Sequence, residues 1–151
     1  MPRVERGGEA VVSRDDVGFL LAKAAQRWNE LLATRFAAAG YADVRPSYGS
    51  VLLPLYEEDG LRMGELALRA RLSKQTMTQM IRRLERDRLV ERRPDPSDGR
   101  ASLILLTRRS RRFEPVAAAA LRELDQLVRE RLGERRLGQV RDALRELMEI
   151  E

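Results

Sequence analysis

Between residues 73 and 86 the polar side chains are of few kinds, and they recur at helical spacing. At about 100° per residue, Gln75, Gln79, Arg82 and Arg86 fall on one side, flanked by Thr76, Thr78 and Arg83. Glutamine suits a two-point contact with an adenine edge, arginine a guanine edge, and threonine a thymine methyl or a phosphate. Ser73 and Lys74 open the segment, and Ser73 is placed to accept from the first free amides of a helix. An ordinary solvated helix face mixes Glu with Lys, whereas this one has no acid before Glu85. The chemistry on offer is recognition through hydrogen bonds and positive charge.

Bond-making chemistry has little to work with. The chain has no cysteine and no histidine, which removes disulfides, Cys/His zinc sites, thiol redox sensing and the Ser-His and Cys-His catalytic pairs. No paired-carboxylate or Gly-rich phosphate motif replaces them. The expectation is a protein that is not an enzyme and uses no metal or cofactor.

The elements that must position these residues follow from local pattern. Met77, Met80, Ile81 and Leu84 form an apolar stripe behind the polar front, so residues from about Lys74 to Asp87 read as a helix with one buried side. Gly64 to Arg71 reads as a shorter helix before it, with Leu66 and Ala67 inward, and Leu61 to Met63 as an extended piece. After it, Val90–Arg93 and Ala101–Leu106 read as strands joined by a Pro/Asp/Gly turn over residues 94–100. In that turn Asp98 is expected to orient a nearby arginine, leaving Arg93 or Arg100 at the tip for DNA. Residues 62–112 hold 15 Lys/Arg against 6 Asp/Glu, while the rest of the chain holds 14 against 18. Positive charge is therefore concentrated on the helix and hairpin, as a polyanion-binding surface requires.

The expected fold is mainly α with a small β wing: a winged helix-turn-helix carrying N- and C-terminal helical dimerisation arms. Residues 1–14 read as a flexible tail, 15–45 and 108–151 as the helical dimerisation region, and 46–107 as the winged DNA-binding module. Asp15 or Asp16 can cap the first helix and Ser47 the second, with Val51, Leu52 and Leu55 inside. Thr107 can cap a long helix in which Pro115 predicts a kink or loose first turn, and Gly133 breaks the pattern before a last helix. The apolar stripes of the first and last helices exceed what the small module can cover, which points to a homodimer. No run reaches membrane-span length and the N-terminus lacks a signal-peptide core, so a cytoplasmic protein without membrane contact is expected.

The segment MGELALRARLSKQTMTQMIRRLERDRLVERRPDPSDGR, followed by Leu106-Thr107, resembles the MarR (multiple antibiotic resistance regulator) family of bacterial transcription factors. The resemblance runs from about Asp16 to Met148. It implies that Ser73, Gln75, Thr76, Thr78, Gln79 and Arg82 read the major groove of double-stranded DNA. It places the wing signature on Asp98, Gly99 and Arg100, with Arg100 in the minor groove or on the backbone, and it assigns the terminal helices to the dimer. The family often has Pro or Gly a few residues beyond the Leu-Thr pair, whereas here Arg108-Arg109-Ser110-Arg111-Arg112 adds positive charge near the wing base. The absence of cysteine and histidine argues against its peroxide-sensing and zinc-sensing branches.

The resemblance further implies a repressor of a pseudo-palindromic operator, released by a small aromatic or phenolic effector held between arms and winged module. Trp28, Tyr48, Leu52 and Tyr56 are the candidate lining, with plain core packing as the competing reading. The alternative function is a winged-helix module that binds protein or RNA without a ligand switch.

Overall fold

The computed structural model describes residues 12–151; apart from residues 12–14, the expected N-terminal tail lies outside the described residues. In chain order come α1 (Val17–Ala38), a 3-10 turn (Pro46–Tyr48), α2 (Gly49–Glu57), β1 (Leu61–Arg62), α3 (Met63–Ala70) and α4 (Lys74–Arg86). Two strands, β2 (Val90–Asp95) and β3 (Asp98–Leu106), and the long α5 (Arg108–Met148) complete the chain. The fold is mainly helical, with a three-stranded antiparallel sheet in the order β1-β3-β2: a winged helix.

One apolar core joins these pieces. The inward faces of α3 and α4, Leu66, Met77, Ile81 and Leu84, are fully buried and meet Leu55 of α2 and Ile104 of β3. Leu32 and Phe36 bring the C-terminal end of α1 into the same core, where Phe36 meets the Phe113 ring of α5 edge-on at 4.8 Å between centroids. The first half of α1 takes no part: Val17, Phe19 and Leu20 are exposed.

Helix ends follow cap chemistry. The side chains of Asp16, Ser73 and Thr107 accept from the backbone N–H of Phe19, Thr76 and Ser110. Ser47 does not cap α2 as expected. Pro46 opens a 3-10 turn that already contains Ser47, and α2 begins beyond it with no side-chain cap. Pro115 does not break α5 either. The non-helical backbone inside that helix is at Gly133, where φ is 80° and ψ 163°. A continuous helix would hold residues 125 and 141 about 24 Å apart. Instead Arg141 pairs with Asp125 at 2.6 Å, so the chain after Gly133 folds back along the preceding limb.

Candidate nucleic-acid interface

The candidate reading helix, α4, is held from behind and left open in front. Met77, Ile81 and Leu84 are buried without residue, whereas Ser73, Lys74, Gln75, Thr76, Gln79, Arg82, Arg83 and Arg86 are exposed. The Ser73 hydroxyl donates to Thr76 Oγ1 at 2.9 Å, and the half-buried Thr78 donates to the Lys74 carbonyl at 2.8 Å. These threonines therefore shape the first turns of α4 as well as facing outward. Among the described residues, no hydrogen bond or ion pair engages the side chains of Gln75, Gln79, Arg82 or Arg83. Arg86 lies 3.6 Å from Asp87. The first turn of α4 carries no acid, so its positive dipole end is uncompensated. The one acid within the helix, Glu85, is paired at 2.8 Å with Arg92 of the wing.

The wing departs from expectation in its turn. β2 and β3 continue through residues expected to form a loop, leaving Pro96 and Ser97 between them. Asp95 makes this shortening workable: its carboxylate accepts from the Ser97 N–H at 2.9 Å, the Ser97 hydroxyl at 2.7 Å and the Arg62 guanidinium at 2.7 Å. The Ser97 bonds above all, helped by Arg62, hold the Asp95 carboxyl down at about 2. Pro94 is tolerated because β2 is an edge strand of the sheet. Asp98 does not hold an arginine side chain as expected; it accepts the backbone N–H of Arg100 at 3.1 Å. The arginine-orienting carboxylate is Asp95, and its partner is Arg62 of β1. Arg93 is engaged by Glu91 at 2.6 Å, while Arg100 stands exposed near the tip.

The structure does not gather the four candidate ligand-lining residues. Tyr48 and Leu52 are core residues, and the Tyr48 hydroxyl donates to Asp87 just after α4. Burial pushes the Tyr48 hydroxyl up from its ordinary range, and Asp87 adds to the shift. Tyr56 donates to the Ser110 carbonyl at 2.8 Å and is likewise raised, chiefly by burial. Trp28 alone of the four lines a recess of about 740 Å³ between α1 and α5, with Leu31, Leu124 and Leu127 as apolar walls and Arg27, Glu130 and Arg131 as its charged residues.

Two features lay beyond sequence reasoning. One is the Arg62–Asp95 tie, whose partners are far apart in the chain. The other is the joint between α4 and α5, where Thr107 Oγ1 donates to the Arg88 carbonyl at 2.7 Å, Arg109 to the Asp87 carbonyl at 2.7 Å, and Ser110 to the Leu89 carbonyl.

Comparison with known proteins agrees with this architecture. The sequence model of the MarR family matches residues 42–101, the stretch that contains α2, α3, α4, β2 and the start of β3. None of the curated proteins compared with the chain matches it. Among solved structures, a probable transcriptional regulator from Pseudomonas aeruginosa is 27% identical, with a TM-score of 0.76 over 88% of this chain and 97% of that one. CouR from Rhodococcus jostii RHA1, bound to p-coumaroyl-CoA, is 26% identical, with a TM-score of 0.70 over 94% of this chain and 98% of that one. BpsR of Bordetella bronchiseptica, 19% identical, shares the fold at a TM-score of 0.78, over 95% of this chain and 100% of that one.

Proposed function

We propose that this chain, a transcriptional regulator of the MarR family, works as a cytoplasmic homodimer that represses by occupying a pseudo-palindromic operator and is released by a small aromatic or phenolic effector. Members of the family regulate transcription and are not enzymes. The observation that carries the reading is α4 itself. Three fully buried anchors fix its back, and its exposed Gln75, Gln79, Arg82 and Arg83 have no internal partners among the described residues. Such side chains meet base edges without first giving up a bond.

The homodimer is supported by apolar surface that one chain leaves open. Val17, Phe19 and Leu20 on α1 and Val140, Leu144 and Leu147 on α5 are all more than a third exposed. A second copy covering these faces buries them and sets two reading helices about one DNA turn, 34 Å, apart. The effector site is assigned to the recess beside Trp28. It lies between the arms, has apolar walls, and carries Arg27 and Arg131 against a single acid, Glu130, a balance that suits an anionic group. CouR, of comparable fold, was solved with p-coumaroyl-CoA.

Selection of duplexes from a random library, followed by footprinting and sedimentation, tests the reading. Expected are two half-sites about one turn apart and a dimer at micromolar concentration. A monomer, or equal affinity for selected duplex, random duplex and RNA, would replace it with a winged interaction module.

A further inference from the structure

Five arginines follow or precede the wing without belonging to its reading face: Arg88, Arg108, Arg109, Arg111 and Arg112. Arg111 is paired with Asp59 at 2.5 Å. The other four line a single recess of about 620 Å³ beside the start of α5, together with Tyr41 and Thr107. Arg109 is half-buried there, paired with Asp43 at 2.6 Å and lying over the Tyr41 ring at 5.7 Å. The hydrogen bond from Arg109 above all, with smaller help from the charges of Arg109 and Arg88, holds the Asp43 carboxyl below its ordinary range. Among the described residues, no carboxylate pairs with Arg88, Arg108 or Arg112. One acid against four guanidiniums leaves the recess strongly positive, and the N-terminal end of the long α5 adds its dipole. Arg88 also adopts φ 58°, a conformation that suits glycine better than any side chain with a Cβ.

We propose that this recess binds the phosphate groups of a small phosphorylated ligand. Arginine forks match phosphate oxygens in two-point contacts, and the volume lies in the range of small-molecule sites. The recess touches Arg88, two residues past the end of α4, and the first turn of α5, so an occupant bears on the joint between reading helix and arm. That regulatory consequence rests on the regulator reading above; the binding itself does not.

Calorimetric titration of the full chain without DNA, using inorganic tripolyphosphate as probe, tests it. Saturable binding is expected, weakened about tenfold by Arg88→Gly and by Arg112→Gln. Arg88→Gly removes the guanidinium while supplying the residue that best tolerates a positive φ, so its thermal midpoint should hold or rise. Arg136→Gln, on an exposed part of α5, should leave binding unchanged. Absence of saturable heat, or equal weakening by Arg136→Gln, overturns the proposal. A parallel salt titration on random duplex separates the other source of phosphate. If the Arg88→Gly/Arg112→Gln double variant flattens the log–log slope by about 0.9 per lost contact, the recess serves the DNA backbone and the small-ligand proposal falls.

Discussion

Truncating Arg82 and Gln79 to alanine discriminates base reading from simple charge attraction. Both side chains are exposed on a helix whose back is fully buried, and neither holds an internal partner among the described residues. With no bond among the described residues to offset the proposed contact with DNA, each loss should approach the full worth of a two-point base contact, about 1–3 kcal/mol, or about 5- to 150-fold. Arg93 provides the internal contrast. It must exchange its Glu91 partner at 2.6 Å for a phosphate, so Arg93→Ala should cost less than about 1 kcal/mol. Alanine is the best helix former, and these positions are solvent-facing, so thermal midpoints should stay unchanged. The assay is fluorescence anisotropy on three duplexes: the selected operator, single-base variants of it, and random sequence. Arg82→Ala and Gln79→Ala should weaken operator binding while flattening the preference at one base pair each; Arg100→Ala should weaken all three duplexes alike. Equal losses on operator and random duplex for Arg82→Ala and Gln79→Ala would refute the assignment of these side chains to bases.

Three further outcomes follow from packing and charge. Leu84→Ala removes a fully buried anchor of α4 and should cost about 2–5 kcal/mol in urea unfolding, with operator binding lost in proportion. The Asp95 carboxyl is depressed to about 2 from 3.8 in the folded protein, so its contribution is complete above pH 4 and is lost as the pH falls towards 2. Asp95→Asn should flatten that acid limb of a circular-dichroism titration, while an unaltered limb would show that the wing tie does not matter to folding. Val140→Glu/Leu144→Glu places charge on the exposed apolar face of the last limb of α5 and should give a monomer in sedimentation, with an intact winged module but weak operator binding.

The parts legible in the sequence were those decided within a few residues. The stripe of Met77, Ile81 and Leu84 and the cap at Ser73 are both local, and the structure reproduces both. The third strand at Leu61 and the break at Gly133 were likewise visible from short patterns. The wing turn was not, because its length depends on Asp95 meeting Arg62, which precedes it by 33 positions. Ser47 failed as a cap because Pro46, with its preset φ, starts the turn one residue earlier. Pro115 failed as a break because the carbonyl it leaves unpaired belongs to Arg111, and both residues face solvent, where water replaces the lost bond. Tyr48 and Leu52 share composition with a ligand pocket, and only tertiary packing distinguishes the two uses.

The junction after α4 decides how arms and reading helix influence each other. Its three residues, Asp87, Arg88 and Leu89, have carbonyls taken by Arg109, by Thr107 and by Ser110, and the Asp87 carboxylate is taken by Tyr48. The first turn of α5 is thus bolted to the end of α4 through several hydrogen bonds, with little slack for one to move alone. From that joint α5 keeps helical geometry to Gly133, a rigid length of about 37 Å. A tilt of about 5° at the joint displaces the far end by about 3 Å, and the converse holds for a shift imposed on the arms. In the proposed homodimer, the spacing of the two reading helices would therefore follow from how the arms pack. An effector in the proposed site between α1 and α5 would then change that spacing without touching α4. This is why the fully hydrogen-bonded joint, more than any single groove-facing side chain, makes a small-molecule switch mechanically sensible in this chain.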